Sequence, residues 1–254
     1  IISNMEIYKA ENPQGFDKIV KHLQTINQFN TKNENSIKKI KKELSEKATN
    51  MLTRPRKLVP CRSKNPSEIS IKLLEGDSAM NICKQARNPE NMMIYPLKGK
   101  PINALKCSLS KLLENQEVID MYKIFGCGIA YKGKNVKGFD KFNIDNLNVN
   151  MISFVCDRDE DGGHLETLGL GIIYMLSPQL IERGHVEVIQ TPLYIITTKQ
   201  EKIYAYSEIE RNDIISKLTT PYKEVRYKGI GGLPVDVMHM ALSDNSKKSI
   251  VITM

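Results

Sequence analysis

Two apolar stretches of the chain end in carboxylates, and this feature constrains the fold more than any other. The first, residues 69–74, is followed directly by Glu75. The second, residues 151–156, is followed by an acidic turn. Its aspartates are Asp157, Asp159 and Asp161. Apolar stretches of this length predict buried strands, and the ligands of a parallel sheet lie at the carboxyl ends of its strands. We therefore expect one acidic cluster at that edge of a sheet.

These residues predict a site for a divalent cation, because carboxylates that share a small space repel one another unless a cation lies among them. Glu75, Asp157 and Asp159 offer oxygen ligands only, which favour Mg²⁺, or Mn²⁺, over zinc. A calcium-binding loop fits poorly, since its twelfth position would be Leu168 rather than Glu. A Glu beside other carboxylates should have a raised pKa, which suits a general acid or base.

Each acidic residue also has a purely structural interpretation. Asp161 and Glu160 can cap the helix that follows them, whose N-terminus favours negative charge. Glu75 can be a surface residue at a strand end, with Asp77 or Ser78 capping the next helix. The residues by themselves leave these alternatives open.

The overall charge makes nucleic acid the first candidate for a substrate. The chain has 254 residues and a formal net charge of +8, and its length permits one large domain or one domain plus an appendage. A predicted basic loop, residues 95–101, carries Lys98 and Lys100 on either side of Gly99. These lysines can bind phosphate without reading sequence, or simply lie in solvent. A magnesium site in a basic chain suggests phosphodiester chemistry.

The cysteines and the apolar stretches indicate a reducing compartment, which we expect to be the cytoplasm, at the nucleoid or in a host cell. The five cysteines are odd in number and no two have Cys-x-x-Cys spacing, which argues against disulfides and zinc ribbons. No signal peptide is visible, and residues 168–176 are about half as long as a spanning helix. We expect no membrane partner. Because the chain begins at Ile1 and not at Met, we expect a longer protein.

The order of predicted elements indicates two regions. Residues 1–60 show two helical patterns, the second with Asn35 as a plausible cap and a lysine-rich outer face. Beyond a proline-rich linker, predicted strands at 69–74, 151–156, 185–189 and 193–198 alternate with helices. The predicted helices cover residues 78–87, the regions near 109–113 and 118–124, and residues 164–181. This alternation predicts an α/β domain with a mainly parallel sheet flanked by helices.

Eight motifs occur in an order that resembles the Toprim domain of type IIA DNA topoisomerases, closest to the B-type subunits of gyrase and topoisomerase IV. They are Glu75-Gly76-Asp77-Ser78-Ala79, Lys84-Gln85, Pro96-Leu97-Lys98-Gly99-Lys100 with Asn103, Gly126-Cys127-Gly128-Ile129, Asp157-x-Asp159-x-Asp161-Gly162-x-His164, Glu182-Arg183-Gly184-His185-Val186, Thr191-Pro192-Leu193-Tyr194 and Arg226-Tyr227-Lys228-Gly229-Ile230-Gly231. The resemblance implies a Rossmann-like Toprim domain over residues 61–254, including a C-terminal tail. It also implies that residues 1–60 end an ATPase and transducer region.

The resemblance implies a role for several side chains. Glu75 would be the general acid and base of DNA cleavage and religation, and it would share a magnesium ion with Asp157 and Asp159. Asp161 would occupy an outer position. The implied contacts to the DNA backbone are Lys98, Lys100, Arg87 and Lys228. The positions that line the family's drug-sensitive pocket are Asp77 and Lys98.

The same resemblance implies an ATP-dependent type IIA topoisomerase that acts by double-strand passage. Its partners would be double-stranded DNA and a breakage–reunion subunit or domain carrying the nucleophilic tyrosine, in a dimeric or heterotetrameric assembly. ATP would bind in a domain not present in this chain. Two alternatives from other classes stay open: a self-sufficient Toprim nuclease or primase, and a non-catalytic DNA-binding module.

Three departures from the family pattern indicate a divergent enzyme, such as one from a phage or virus. Met80 and Asn81 stand where the family usually has two glycines. Glu166 stands where it usually has an arginine, which replaces a cation by an anion near the DNA. Gly232 stands in place of a usual glutamate. The carboxylates of the expected metal site are unaffected.

Overall fold

The computed structural model describes residues 55–131, 134–136, 140–243 and 246–253, together with four helical positions at 13, 17, 21 and 24. The second helical pattern predicted within residues 1–60, with its Asn35 cap, lies outside the described residues. Of the first pattern only positions 17, 21 and 24 are described, and they are helical. The division of the chain at residue 60 stays a prediction.

The described residues form ten strands and seven helices. In chain order the strands are β1 (Ser70–Glu75), β2 (Met92–Leu97), β3 (Ala130–Tyr131), β4 (Lys134–Asn135), β5 (Met151–Val155), β6 (Val186–Gln190), β7 (Tyr194–Thr197), β8 (Lys202–Ala205), β9 (Lys223–Arg226) and β10 (Lys248–Val251). The helices are α1 (Met80–Ala86), α2 (Leu109–Glu114), α3 (Gln116–Phe125), α4 (Glu160–Leu176), α5 (Pro178–Glu182), α6 (Glu208–Lys217) and α7 (Val235–Leu242).

A five-stranded sheet with the order β10-β6-β5-β1-β2 lies at the centre. Strands β6, β5, β1 and β2 run parallel, and β10 pairs antiparallel with β6. The prediction of an α/β domain with a mainly parallel sheet flanked by helices is therefore confirmed. A separate three-stranded antiparallel sheet, β8-β7-β9, follows in the chain, and β3 pairs with β4.

Two apolar cores cover the faces of the central sheet. The larger core joins Ile71 and Leu73 of β1 to side chains of α2, α3, α4 and α5. The smaller core joins Leu74 to α1 and α7. Successive side chains of a strand point to opposite faces, so β1, which lies between β5 and β2, contributes to both cores. In the part of the chain that the structure describes, no helix is long and apolar enough to cross a bilayer.

Two predicted element boundaries were wrong. Residues 95–97 belong to strand β2 and not to a basic loop, and Pro96 is tolerated there because β2 lies at the edge of the sheet. The helix expected over residues 164–181 begins at Glu160 and ends at Leu176. Pro178 then starts the separate helix α5, since proline fits the first turn of a helix but not its interior.

A row of polar side chains crosses the interior of the sheet. Lys72 of β1 is paired in register with Ser153 of β5, which is paired in register with Glu187 of β6. The Lys72 ammonium donates to Ser153 Oγ at 3.0 Å, and Ser153 donates to Glu187 Oε1 at 2.7 Å. Lys247 reaches the same carboxylate oxygen at 2.9 Å. All three strand residues are fully or almost fully buried.

Helix α4 offers a direct test of its packing against the sheet. A Cβ at Gly169 would lie 2.3 Å from Phe154 Cε1, so Gly169→Ala should overpack the core and destabilise the fold by about 1–3 kcal/mol. A Cβ at Gly171 would meet nothing within 4 Å, so Gly171→Ala should stabilise the same helix by about 0.5–1 kcal/mol. Urea unfolding of both variants measures the difference, and equal effects would contradict the packing described.

Candidate active site

Glu75 and the acidic turn meet at the carboxyl edge of the sheet. Strands β1 and β5 are neighbours, with Leu74 paired to Val155. Glu75 closes β1, and Asp157 follows β5 by two residues. Glu75 Oε2 accepts the backbone N–H of Asp157 at 3.0 Å, so the two acidic segments are in direct contact.

A third segment, far away in the sequence, closes around Asp157. Its Oδ1 atom accepts the N–H of Ile230 at 2.8 Å. A Cβ at Gly229 would lie 3.0 Å from Asp157 Oδ2, and one at Gly162 would lie 2.1 Å from the Asp157 carbonyl oxygen. Glycine at these two positions therefore lets the backbone approach this carboxylate and its peptide closely.

Burial and mutual repulsion raise the pKa values of the two central carboxyls. Desolvation raises the pKa of Glu75 most. The Asp157 N–H opposes this increase, and the charges of Asp157, Asp159 and Asp161 add to it. The pKa of Asp157 is raised by burial, against the hydrogen bond from Ile230, and further by Asp159. The site therefore favours a bound proton or a bound cation.

Asp159 and Asp161, the later aspartates of the acidic turn, have different partners. Asp159 is the N-cap of α4, and its Oδ1 atom accepts the Gly162 N–H at 2.9 Å. The expectation that Asp161 or Glu160 caps this helix was wrong, since both lie in its first turn. Asp161 pairs instead with Lys100, at 2.8 Å.

The expected cap of the preceding helix was also wrong. Helix α1 has Ala79 at its N-cap position, with no side-chain hydrogen bond. Asp77 binds Lys57 instead, through both carboxylate oxygens at 2.6 Å.

The carboxylates fit a hydrated divalent cation. No lysine or arginine forms an ion pair with Glu75, Asp157 or Asp159 among the described residues. Within the same ranges, no three His, Cys, Asp or Glu side chains are grouped to hold a metal ion. Mg²⁺ normally retains several waters and takes only one or two carboxylates together with substrate phosphates. The donor set suits that kind of site, and it does not form a closed cage.

The structure brings three of the four expected DNA contacts to this edge. Lys98 directly follows β2, whose last residue is paired with Glu75. Lys100 contacts the acidic turn through Asp161. Lys228 is exposed and lies next to Gly229, which packs against Asp157.

Arg87 lies elsewhere. Its guanidinium donates to the carbonyl oxygens of Pro60, at 2.9 Å, and of Met92. Met92 begins β2, five residues before the strand ends, which places it roughly 16 Å from the carboxyl edge at about 3.3 Å per residue. The structure therefore does not bring Arg87 to the carboxylates.

Comparison with known proteins agrees with this arrangement. Residues 70–191, from the start of β1 to just beyond β6, match the Toprim domain family. The B-type DNA gyrase protein of Staphylococcus aureus is 36% identical over 191 residues, which cover 74% of this chain and 28% of that protein. The corresponding protein of Thermus thermophilus is 38% identical over 178 residues, which cover 70% of this chain and 27% of that protein.

This part of the chain is a Toprim domain. The fold agrees with that assignment: the solved structure of the Plasmodium falciparum topoisomerase II DNA-binding, cleavage and re-ligation domain superposes with a TM-score of 0.64. It is 24% identical, and the match covers 77% of this chain and 27% of that one. The predicted resemblance to the Toprim region of B-type gyrase subunits is confirmed, and the chain spans less than a third of those relatives.

Three charged residues of the Toprim site were missed as functional candidates. Glu166 of α4 is half-buried, and its pKa is raised by burial, lowered by Arg158 and raised again by Glu75. In the sequence, Glu166 was noted only because it stands where the family usually has an arginine. Glu117 and Lys57, which contact the loops beside Glu75, gave no signal. Their contacts join segments separated by 19 and 20 residues, and no local pattern predicts such contacts.

The raised pKa of Glu75 has a consequence for stability. A carboxyl whose pKa is higher in the folded state destabilises the fold as the pH rises from its unfolded value to its folded value. Glu75→Gln should therefore stabilise the domain at pH 7, by about 0.5–1 kcal/mol after allowance for its partial exposure. The gain should disappear below about pH 4.5, the ordinary pKa of a glutamate.

Asp161→Asn serves as a control, because it should change the stability of the fold in the opposite direction. The neighbouring Lys100 lowers the pKa of Asp161, so its charge stabilises the fold above the ordinary value of 3.8 and this contribution is lost on acidification. Thermal unfolding of the wild type and both variants between pH 3 and 8 checks the prediction. A Glu75→Gln variant that is less stable than the wild type at pH 7 would contradict it.

Proposed function

We propose that this Toprim domain supplies the magnesium-holding and proton-transferring half of the DNA cleavage and religation centre of an ATP-dependent type IIA DNA topoisomerase. A breakage–reunion subunit or domain supplies the nucleophilic tyrosine, in a dimeric or heterotetrameric assembly. ATP binds in a domain outside this chain. The complete enzyme changes DNA topology by double-strand passage. The similarity to B-type gyrase subunits supports this assignment.

One observation carries the proposal: Glu75 Oε2 lies 3.0 Å from the backbone nitrogen of Asp157, at the edge where the parallel strands β1 and β5 end. This contact assembles the acidic group from two segments 82 residues apart. A structural role for the acids explains it poorly, because burying neighbouring carboxylates without a cation is unfavourable. The arrangement is useful to a protein that binds a cation or transfers a proton there.

Glu75 acts as the general acid and base. Burial and the neighbouring carboxylates raise its pKa, which favours the protonated form that can protonate the leaving 3′-oxygen of DNA during cleavage. On religation the same carboxylate takes the proton back. The hydrogen bond from the Asp157 N–H orients the carboxylate and leaves its other oxygen for substrate or cation.

Asp157 and Asp159 would hold the cation and share it with Glu75. The Ile230 and Gly162 N–H groups each donate to one oxygen of these aspartates and fix its direction. The remaining carboxylate oxygens would be the ligands of the cation. Bound Mg²⁺ would stabilise negative charge on the phosphate and on the leaving oxygen.

Lys98, Lys100 and Lys228 contact the DNA backbone. Lys98 and Lys100 lie in the loop after β2 and Lys228 lies in the loop after β9, around the carboxylates. There the lysine charges attract phosphate and position the duplex without reading its sequence. Arg87 is left out of this surface, because it binds two carbonyl groups near the opposite end of the strands.

The mechanism predicts the effect of neutralising the acids. Glu75→Gln and Asp157→Asn should each lower DNA cleavage in the assembled enzyme by about 10²–10⁴-fold, because proton transfer or cation binding is lost while folding is retained. Covalent tyrosine–DNA adducts formed with the breakage–reunion partner and Mg²⁺ give the measurement. Glu201→Gln, which neutralises an exposed acid on the three-stranded sheet side, is the control.

The same assay separates the alternatives. A self-sufficient nuclease would nick supercoiled DNA with Mg²⁺ and no partner. A non-catalytic binding module would tolerate both neutral substitutions. Wild-type cleavage rates in both variants would remove the mechanism.

The lysine surface predicts a change in salt dependence. Lys98→Ala should weaken DNA binding about equally for all sequences and reduce the slope of log K against log salt by about 1. Fluorescence anisotropy with a short duplex between 50 and 200 mM salt measures this slope. Lys217→Ala removes an exposed charge at the end of α6 and should leave the slope unchanged. An unchanged slope in Lys98→Ala would exclude a phosphate contact.

A further inference from the structure

Lys57 binds the loop that follows the catalytic strand. It lies in the segment before β1, where Val59 and Ile94 exchange two backbone hydrogen bonds at 2.8 and 3.0 Å. The Lys57 ammonium contacts both oxygens of Asp77 at 2.6 Å. Asp77 stands two residues after Glu75. The Lys57 side chain is 30% exposed and that of Asp77 is 66% exposed, so the pair lies at the surface with its cation partly shielded.

Glu117 binds the neighbouring basic loop. It lies in the first turn of α3, where the Asn115 side chain accepts its N–H at 3.0 Å and fixes its position. A carboxylate oxygen of Glu117 accepts the backbone N–H of Lys98. Burial raises the pKa of Glu117, while the N–H and the positive charges of Lys57 and Lys98 lower it. The charge of Lys57 acts on Glu117 at longer range, without a direct contact between the two side chains.

These contacts form a ring around the edge of the sheet that is open between Lys57 and Glu117. Glu75 and Leu97 are paired in register at the ends of β1 and β2, and the Gly76 N–H donates to the Leu97 carbonyl oxygen at 3.0 Å. The loop after β1 carries Asp77, and the loop after β2 carries Lys98. Lys57 binds the first loop through Asp77, and Glu117 binds the second through the Lys98 N–H.

We propose that Lys57 is a positioning residue that, through Asp77, holds the loop after β1 against the segment that pairs with β2 at Ile94, and thereby fixes Glu75 relative to Lys98. Without this cation, Asp77 loses its ion-pair partner, and the loop after β1 keeps only its backbone contact with Leu97. The catalytic carboxylate and the phosphate-binding lysine then lose their mutual alignment. The consequence for DNA cleavage rests on the function proposed above, whereas the consequence for the loops does not.

Arg62 provides a matched control. It lies in the same segment, and its guanidinium pairs with Glu90 at 2.6 Å, but with 73% of its side chain exposed. Lys57→Met and Arg62→Met each remove one positive charge and one ion pair. They differ in whether that pair contacts the loops of the proposed active site.

Hydrogen exchange of the purified chain tests the ring without relying on activity. Lys57→Met should accelerate amide exchange by about tenfold or more in residues 76–79, because a loop that loses its contacts opens more often. Arg62→Met should leave these amides unchanged, and Lys57→Arg should restore their protection. Equal protection of this loop in Lys57→Met and the wild type would overturn the proposal, whatever the enzyme's activity.

Single-turnover DNA cleavage with the tyrosine-bearing partner tests the effect on alignment. In Lys57→Met the rate at saturating DNA should fall by about tenfold or more, since a displacement near 1 Å can cost up to 100-fold. The DNA concentration at half-saturation should shift no further than in Arg62→Met. A Lys57→Met rate equal to that of Arg62→Met would overturn the positioning role while leaving the proposed function intact. A wild type that forms no adduct would instead refute the proposed function, and hydrogen exchange would then decide on the ring.

Discussion

The buried row of Lys72, Ser153 and Glu187 is the contact on which the rest of the structure depends. These residues are direct partners on β1, β5 and β6, and a charge buried without its partner costs about 3–5 kcal/mol. The pKa of Glu187 is low despite burial, because Ser153, Lys247 and Lys72 stabilise its negative charge. A slip of one residue would turn each of these side chains to the opposite face. In strands with apolar side chains alone, such a slip would cost much less free energy.

This pairing also determines where the acidic site lies, because Glu75 comes three residues after Lys72 on β1. With Lys72 opposite Ser153, Leu74 pairs with Val155. Glu75 then ends β1 at the acidic site, where Asp157 follows the buried Cys156. The raised pKa values of Glu75 and Asp157 show that this site opposes folding rather than supporting it. The two apolar cores and the buried polar row hold together an edge whose own charges repel.

Sequence patterns predicted what depends on neighbouring residues. The apolar stretches that end in acids located β1, β5 and their carboxylates, and parallel topology followed from strands that alternate with helices. Boundaries set by single contacts were missed: Asp159 rather than Asp161 caps α4, and residues 95–97 form an edge strand despite Pro96. The Ile230 N–H on Asp157 bridges 73 residues, and neither periodicity nor propensity encodes such a contact. Ordered family motifs supplied that part of the site.

The distribution of cations separates two kinds of acid at this edge. The outer carboxylates already have lysine partners in the protein, Asp77 with Lys57 and Asp161 with Lys100. The inner carboxylates of Glu75, Asp157 and Asp159 receive or lie beside backbone N–H groups, and in the described ranges no lysine or arginine forms an ion pair with them. Backbone dipoles orient a carboxylate but neutralise little of its charge. The inner acids therefore keep a charge that a mobile cation or a proton can neutralise. The same edge can attract phosphate through its outer lysines and still present unneutralised oxygen ligands at its centre.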